Sequence, residues 1–260
     1  MEPRTEPEPR VAEFRFYEEL NDFLPAAQRK RPIAYAFTGS PSVKDAIEAL
    51  GVPHPEVDLI LANGVSVDFS HHLRPGDRIA VYPVFESLDI SPVTRLQGRP
   101  LRRTRFILDV HLGKLARRLR LLGFDALYEN HWADREIVRL ASADHRAILT
   151  RDRGLLMTGS VTHGYWVRST VPDEQTREVL RRFDLRDQVR PFTRCMACNS
   201  PVEPVAKEEI IERLAPKTKL YYDEFQRCIG CGRIYWKGSH FRRIQARVDA
   251  IVGRADPTGE

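Results

Sequence analysis

The sequence lacks any long apolar run, and no stretch approaches the roughly 20 apolar residues that a membrane-spanning helix needs. Its first ten residues are mostly Glu, Pro and Arg, which is not the pattern of a secretory signal peptide. We therefore expect a cytoplasmic protein with no membrane partner. The hydrophobic fraction of 42% excludes a disordered chain, and a length of 260 residues predicts roughly two domains.

An excess of charge of one sign is also missing, because 41 Lys and Arg residues nearly balance 36 Asp and Glu residues, leaving +5. The balance hides segments of opposite sign. Residues 1–100 carry −4 (11 basic, 15 acidic), residues 101–190 carry +6 (18 and 12), and residues 191–260 carry +3 (12 and 9). We therefore expect an anionic partner after residue 100, and the stretch 91–104, which contains Pro and Gly, is predicted to be a linker.

Residues 11–90 combine strand signals with one helix. Strands are predicted at residues 11–16, 33–37, 57–62, 65–67 and 78–82, with an Asn63-Gly64 turn between the third and the fourth. A helix begins after Ser42, with Asp45 completing a capping box, and ends at Gly51. This order predicts an α+β domain of the β-grasp type, and residues 58–84 are similar to ubiquitin-like sulfur carriers.

Sulfur carriers act through a flexible C-terminal Gly-Gly whose carboxylate is activated. Here Tyr82 is followed by Pro83-Val84-Phe85 and a further domain, so carrier chemistry is not expected. Two interpretations of residues 11–90 stay open. The domain either docks a protein partner or positions RNA, or it only stabilises the rest of the chain.

Asp109 is embedded in the apolar run Phe106 to Val110. A buried carboxylate without a partner costs several kcal/mol, so some neighbour must compensate it. Apolar residues then recur at helical spacing as far as Gly123, which predicts a strand feeding a helix. Asp109 is thereby placed at the carboxyl end of a strand, where α/β folds bind ligands.

Two more aspartates follow the same pattern. Asp134 opens a second predicted helix, and Asp152 follows a strand predicted at residues 147–150. The alternating elements, with further strands and a helix as far as residue 183, favour a parallel sheet. If the three carboxylates meet, their repulsion requires a cation, which is typical of a Mg²⁺ or Mn²⁺ site that activates water. Alternatively, Asp134 is a helix N-cap and Asp152 is a turn residue.

Basic residues surround these aspartates. Lys114, Arg151 and Arg153 are predicted to position a phosphate backbone. Three further basic residues of the helix after Asp109 are interpreted instead as a solvated face: Arg117, Arg118 and Arg120.

The strings DVHLGKLA (residues 109–116), LRLLGFD (119–125) and ILTRDR (148–153) resemble the PIN-like RNase family named for the C-terminal domain of the mut-seven exonuclease. The resemblance extends over residues 105–250. It implies a metal-dependent nuclease that cuts single-stranded RNA, with Asp109, Asp134 and Asp152 as catalytic metal ligands. PIN nucleases commonly show a fourth acidic position, for which this chain offers only Glu136 or Asp144, so we expect one catalytic ion.

The four cysteines form two Cys-x-x-Cys hooks and leave none over: Cys195, Cys198, Cys228 and Cys231. Four thiolates at this spacing are typical of tetrahedral Zn²⁺, and a filled shell makes that zinc structural. Gly230 and Gly232 are predicted to form the tight turn of the second hook. The alternative, a thioredoxin-like redox pair, is disfavoured by the presence of two hooks. The 29 residues between the hooks predict an inserted helix at about residues 207–214.

Basic and aromatic residues are interleaved after the second hook. Among them Trp236 and Lys237 are predicted to bind a nucleic acid strand. Alternatively, this set packs the zinc ribbon against the preceding domain.

The sequence therefore predicts a mixed α/β protein in three parts: a ubiquitin-like β-grasp domain at 11–90, a PIN-like parallel-sheet nuclease domain at 105–190, and a zinc ribbon with a C-terminal helix at 191–252. The leading hypothesis is a ribonuclease with catalytic Mg²⁺ or Mn²⁺ and structural Zn²⁺. The alternatives are a non-catalytic RNA-binding or ribosome-associated adaptor, and a nuclease that cuts DNA.

Overall fold

The computed structural model describes residues 10–83, 96 and 104–253, and the linker predicted at 91–104 lies almost wholly outside them. The strands are β1 (Arg10–Phe16), β2 (Ile33–Phe37), β3 (Leu59–Ala62), β4 (Val65–Val67), β5 (Arg78–Tyr82), β6 (Phe106–Leu108), β7 (Ala126–Leu127), β8 (Ala147–Thr150), β9 (Gly164–Trp166), β10 (Val202–Val205), β11 (Phe225–Cys228) and β12 (Ile234–Trp236). The α-helices are α1 (Val43–Ala49), α2 (Gly113–Leu121), α3 (Asp134–Asp144), α4 (Arg153–Leu156), α5 (Pro172–Arg182), α6 (Lys207–Ile210), α7 (Pro216–Tyr221) and α8 (Phe241–Val252). Within the described ranges, none of these helices has the length and apolarity to cross a bilayer.

The chain divides into two compact units. The first contains Met1–Arg102 together with Asp152–Trp166, and the second contains Arg103–Arg151 and Val167–Glu260. The segment Asp152–Trp166 therefore folds with the amino-terminal part of the chain, although the sequence resemblance assigns it to the nuclease part.

The first unit has the β-grasp architecture that the sequence predicts. Its five strands follow the order β2-β1-β5-β3-β4, in which β1 and β5 are parallel and the other neighbours are antiparallel. Alternate residues of β1, including Phe14 and Phe16, are buried in one core with Ile47 of α1. The β3–β4 hairpin turns at Asn63 and Gly64, whose φ angles of 51° and 83° are the positive values that such a turn requires.

Helix α1 begins with the predicted capping box. The Ser42 hydroxyl accepts a hydrogen bond from the Asp45 backbone N–H at 3.1 Å, and the Asp45 carboxylate accepts one from the Ser42 N–H at 3.3 Å. Gly51, just past the end of the helix, has a φ of 94°, which glycine adopts without strain. The limits of this helix were therefore encoded locally.

The second unit contains the parallel sheet. Strand β6 lies between β7 and β8 and is parallel to both, with Leu108 opposite Leu149. All residues of β6 and β8 are buried, as expected for strands covered on both faces. Helix α2 packs against α5, and α3 packs against β6 and β8. This arrangement places the carboxyl ends of β6 and β8 side by side.

The cysteine-bearing part of the second unit is built on an antiparallel sheet in the order β10-β11-β12. A small core holds it together: Val205, Ile210, Leu214 and Phe225. The single helix predicted at 207–214 is instead α6, a 3₁₀ turn at Ile211–Arg213, and then α7. Ala215 is extended because it precedes Pro216, which excludes the helical conformation at that position and starts α7 anew.

Candidate active site and zinc centre

Asp109 lies directly after β6 and is 3% exposed. Its Oδ1 accepts a hydrogen bond from the His111 backbone N–H at 2.8 Å. Its Oδ2 accepts from the Arg151 backbone N–H at 3.0 Å and from the Thr150 hydroxyl. These donors compensate the buried carboxylate. No local pattern around Asp109 pointed to Thr150, which lies in another strand.

The Arg151 guanidinium is bound to the protein's own backbone. Its Nη1 donates to the carbonyl oxygens of Arg168 at 2.9 Å and Ser169 at 2.5 Å. The Glu178 carboxylate accepts from the backbone N–H groups of the same two residues at 2.7 and 3.1 Å. Arg151 and Glu178 thus fix the loop that precedes α5.

Arg153 also has protein partners within the first unit. It donates to the carbonyl oxygens of Phe23 at 3.3 Å and Asp22 at 3.2 Å. Its guanidinium carbon lies 4.1 Å from the centroid of the Trp166 ring, which is cation–π geometry. This set of contacts makes Arg153 a packing residue of the first unit.

Asp134 and Asp152 are both exposed. Asp134 is the first residue of α3, and the N-cap is Ala133, so the interpretation of Asp134 as the cap is wrong. Asp152 caps α4 by accepting from the Gly154 N–H at 2.7 Å. Among the described residues, the four cysteines are the one group of three or more metal-binding side chains gathered around a point. Coordination of one cation by the three aspartates stays a prediction.

A cavity of about 540 Å³ lies at the amino ends of α2 and α5, and its wall begins at Val110, the residue after Asp109. Three basic residues line it: His111, Lys114 and Arg117. Within the described chain, no carboxylate lines this cavity. The other lining residues are Gly113, Tyr128, Thr170, Pro172 and Gln175. Two helix amino ends add partial positive charge, so the cavity suits an anion.

The basic residues of α2 have three different environments. Arg117 is exposed, as the interpretation of a solvated face requires. That interpretation is wrong for Arg118, which pairs with Asp173 of α5. It is also wrong for Arg120, which is 4% exposed and donates to the carbonyl oxygens of Ala126 and Ala197, both at 2.8 Å. Arg120 thereby connects the parallel sheet to the first cysteine hook.

The four cysteine Sγ atoms lie within 4.8 Å of one another. The Cys195–Cys231 separation is 3.7 Å and the Cys198–Cys228 separation is 3.3 Å. Sulfur atoms bound at about 2.3 Å to a tetrahedral zinc ion would be about 3.8 Å apart. The cluster therefore has the size of a Cys₄ zinc site and can hold the ion, with four protein ligands filling the shell.

The thiols of the cluster differ in acidity. Burial acts to raise the pKa of Cys198, but hydrogen bonds from Ser200 and the neighbouring thiols lower it to about 6. The Arg233 backbone acts to lower the pKa of Cys231, but burial and the other three thiols raise it to about 12. Four thiols in one place do not all ionise without a compensating cation. This donor set therefore favours a bound divalent metal.

The second hook depends on two glycines for two different reasons. Gly232 has a φ of 68°, as in a left-handed turn. A Cβ atom on Gly230 would lie 2.2 Å from the Ser200 Oγ and 2.8 Å from its Cβ, so any other residue there requires Ser200 or the hook to move. The Tyr235 hydroxyl lies 3.0 Å from the Cys195 Sγ, a contact that the cysteine spacing does not indicate. Such a partner orients the ligand sulfur.

Polar contacts hold the first hook against the parallel sheet. Asn199 donates from Nδ2 to the Asp125 carboxylate at 2.8 Å and accepts at Oδ1 from the Ala126 N–H at 3.0 Å. Arg146 donates to the same carboxylate at 2.7 Å. The cysteine-bearing part of the second unit thus shares buried and partly buried hydrogen bonds with the parallel-sheet part.

The aromatic residues after the second hook line a cavity of about 760 Å³. Trp236 is 42% exposed, and Lys237 is paired with Glu224 at 3.1 Å. Phe241 of α8 packs on Phe192, with ring centroids 5.0 Å apart. Part of this set therefore serves packing, while Trp236 keeps an accessible face. Binding of nucleic acid by Trp236 and Lys237 stays a prediction.

Comparison with protein families gives two matches. The model for the Mut7-C RNAse domain matches residues 104–248, and the model for the Mut7-C ubiquitin domain matches residues 10–89. No curated protein and no solved structure matches the chain. The first match spans more than half of the chain and contains Asp109, the basic cavity and the four cysteines. The chain belongs to the Mut7-C RNAse domain family.

Proposed function

We propose that this chain is a metal-dependent ribonuclease that cuts single-stranded RNA. The observation that carries the proposal is Asp109, a buried carboxylate at the edge of the parallel sheet, which directly precedes the wall of a cavity lined by basic side chains. Ligands bind at the carboxyl ends of parallel strands in α/β folds. Membership of an RNase domain family supports the same conclusion.

Asp109, Asp134 and Asp152 would hold the catalytic Mg²⁺ or Mn²⁺, because carboxylate oxygens are the ligands these cations prefer. The Asp134 carboxylate forms no hydrogen bond or ion pair with a described residue, so it is available to a cation. Asp152 is two residues along the chain from Thr150, whose hydroxyl binds Asp109. A bound ion would supply an activated water and would stabilise negative charge on the scissile phosphate.

The cavity next to Asp109 would bind the RNA backbone. Lys114 and Arg117 are exposed and form no ion pair with a described residue, so both can neutralise phosphates. The His111 backbone holds Asp109 while the His111 side chain lines the cavity. Gly113 keeps the wall compact, since a Cβ there would lie 2.7 Å from the Tyr128 hydroxyl. We assign to Lys114 and Arg117 the contacts with phosphate, and to Arg151 and Arg153 the support of neighbouring loops.

Trp236 and Lys237 would contact the RNA farther from the site of cleavage. An accessible indole face stacks on a base of any sequence, typically for about 1–3 kcal/mol. The zinc ion keeps its structural role, because four cysteines leave no coordination position for substrate.

The test is cleavage of an end-labelled single-stranded RNA by the zinc-loaded, full-length protein with added Mn²⁺ or Mg²⁺. We expect Asp109→Asn and Asp134→Asn to abolish cleavage. Asp134 is exposed, so its substitution leaves the fold intact. The matched control is Asp187→Asn, which changes an exposed carboxylate of the same unit and is expected to cut normally.

Three results would contradict the proposal. Cleavage that survives both substitutions would remove the aspartates from the mechanism. RNA binding without cleavage at any Mn²⁺ concentration would favour the non-catalytic adaptor. Cleavage of single-stranded DNA but not RNA of the same sequence would make the protein a DNA-cutting nuclease.

A further inference from the structure

The segment Asp152–Trp166 is held by the ubiquitin-like domain through three sets of contacts. Its first helix, α4, has four residues, from Arg153 to Leu156. Isolated helices shorter than about 12 residues are marginal in water, so α4 depends on tertiary contacts. Within the first unit, those contacts come from the part of the chain that matches the ubiquitin model.

The first contact is a hydrogen bond between a buried carboxylate and a backbone amide. Glu56 is 1% exposed and lies at the end of a 3₁₀ turn, His54–Glu56. Its Oε1 accepts from the Trp166 N–H at 2.5 Å. A hydrogen bond in the protein interior is stronger than one in water, so this contact constrains the end of the segment.

The second contact uses His54 from the same turn. His54 is 7% exposed and its Nε2 lies 2.6 Å from the Val161 carbonyl oxygen. The other ring nitrogen, Nδ1, lies 2.6 Å from the Glu48 carboxylate, which orients the ring. Val161 is itself 2% exposed. The middle of the segment is thereby bound to the domain.

The third contact is aromatic and cationic. Trp166 packs against the core of the ubiquitin-like domain, with its ring centroid 5.1 Å from that of Phe23. Arg153 lies over the same two rings and donates to the Phe23 carbonyl oxygen at 3.3 Å. Arg153 is the residue after Asp152, so this contact fixes the start of the segment.

We propose that the ubiquitin-like domain is an intramolecular positioning module, in which Phe23, His54 and Glu56 hold Asp152–Trp166 and so fix the Asp152 carboxylate. The partner of this surface is a segment of the same chain rather than an activated carrier target. The catalytic role of Asp152 rests on the proposed function. The ordering of the segment does not rest on it, because the contacts of the segment exist independently of any reaction.

The experiment measures amide hydrogen exchange in the zinc-loaded, full-length protein, with the Trp166 amide as the direct reporter. Glu56→Leu removes the acceptor and is expected to accelerate exchange at Trp166 and along 152–166 by about tenfold or more. Glu56→Gln keeps an acceptor oxygen, so slow exchange at the Trp166 amide is expected to be retained. Glu13→Gln, an exposed position of β1 in the same domain, is the matched control.

Cleavage kinetics form the second readout. Glu56→Leu is expected to lower kcat for RNA with little change in KM, and Glu56→Gln to recover kcat. The protected amides of β1 report the folded fraction in each sample. A loss of kcat that is caused only by lower stability would therefore scale with that fraction. If Glu56→Leu does not fold, Arg153→Leu tests the same surface from the side of the segment.

The outcomes separate the two proposals. Unchanged exchange at Trp166 in a folded Glu56→Leu protein would overturn the positioning module. Faster exchange with an unchanged kcat would overturn its link to Asp152. If the wild-type protein cuts no RNA, the proposed function fails, and the exchange measurement alone still decides whether the domain holds the segment.

Discussion

Thr150 donates its hydroxyl hydrogen bond to Oδ2 of Asp109, the same oxygen that accepts the Arg151 backbone N–H at 3.0 Å. Thr150 is fully buried at the end of β8, and Asp109 follows the neighbouring parallel strand, β6. The carboxylate is therefore oriented from a second strand, as well as by its own turn.

Thr150→Val removes this hydroxyl while preserving the shape of the side chain. We expect the free energy of unfolding to fall by about 1–3 kcal/mol, because a buried carboxylate oxygen loses a donor. We also expect slower RNA cleavage, since Asp109 loses its orientation. Urea unfolding and cleavage rates measure the two effects. Thr218→Val, another buried threonine, is the control and should leave cleavage unchanged.

Removal of zinc should loosen the second unit. We expect about one zinc ion per chain by metal analysis, since four thiolates form a single tetrahedral site. Chelation, or Cys228→Ser, should lower the Tm and expose the small ribbon core to a hydrophobic dye. A metal-free protein with an unchanged Tm would show that the cysteines are not a structural zinc site.

Acid should weaken the contact between the first hook and the parallel sheet. Burial acts to raise the pKa of Asp125, but hydrogen bonds from Arg146 and Asn199 outweigh it and lower the pKa below its ordinary value. The folded pKa is thus below the unfolded one of about 3.9. The stabilisation is therefore present above about pH 4 and disappears as the pH falls through the folded pKa.

Asp125→Asn should consequently reduce stability at neutral pH and flatten the acid limb of a plot of unfolding free energy against pH. Urea unfolding between about pH 2 and 7 covers this range. Asp187→Asn, an exposed carboxylate, should keep the wild-type acid limb. An acid limb in Asp125→Asn as steep as that of wild type would mean that other carboxylates dominate.

Gly230→Ala should damage the second hook. The added Cβ would lie 2.2 Å from the Ser200 Oγ and 2.8 Å from its Cβ, so Ser200 or the hook must move, which disturbs the positions of the thiolates. We expect weaker zinc retention against a chelator. Adding Ser200→Gly removes the obstructing atoms and should recover part of the retention. If the double variant retains no more zinc than Gly230→Ala, the steric explanation is wrong.

Lys114→Ala and Arg117→Ala should weaken RNA binding in a way that depends on salt. Each phosphate contact on a single strand contributes about 0.7 to the slope of log K against log salt concentration. The double substitution should therefore make the slope shallower by about 1.4. Lys217→Ala, which removes an exposed charge elsewhere in the second unit, is the control. Equal slopes for wild type and the double variant would exclude this cavity as the RNA-binding surface.

The features that the sequence predicted well are those whose causes lie close together in the chain. The capping box joins residues three apart, and the β3–β4 hairpin follows from an Asn63-Gly64 turn. The cysteine hooks were also visible, because zinc ligation imposes a spacing on each pair. In these cases the interacting residues are neighbours, so the pattern of residue types was sufficient.

The features that were missed depend on contacts between distant residues. His54 and Val161 are 107 positions apart, and no periodicity relates them. Two arginines that flank an aspartate, Arg151 and Arg153, are typical of a phosphate-binding site. The carbonyl oxygens that accept hydrogen bonds from their guanidinium groups belong to other loops, which the sequence does not reveal. Helical spacing predicts a solvated position for Arg120, because it does not reveal that a later hook covers that position.

Arg120 and Asp125 also determine how this protein can be divided. A chain that ended before the first hook would lose the carbonyl of Ala197 and the amide of Asn199, so the buried Arg120 and the half-buried Asp125 would each lose a hydrogen-bond partner. Hydrogen bonds to charged groups contribute about 1.5–3 kcal/mol each, so losing both would remove a large share of the stability of an ordinary domain. The parallel-sheet part and the cysteine-bearing part of the second unit are therefore expected to be inherited and transplanted as a single piece, whatever the boundaries of their separate cores.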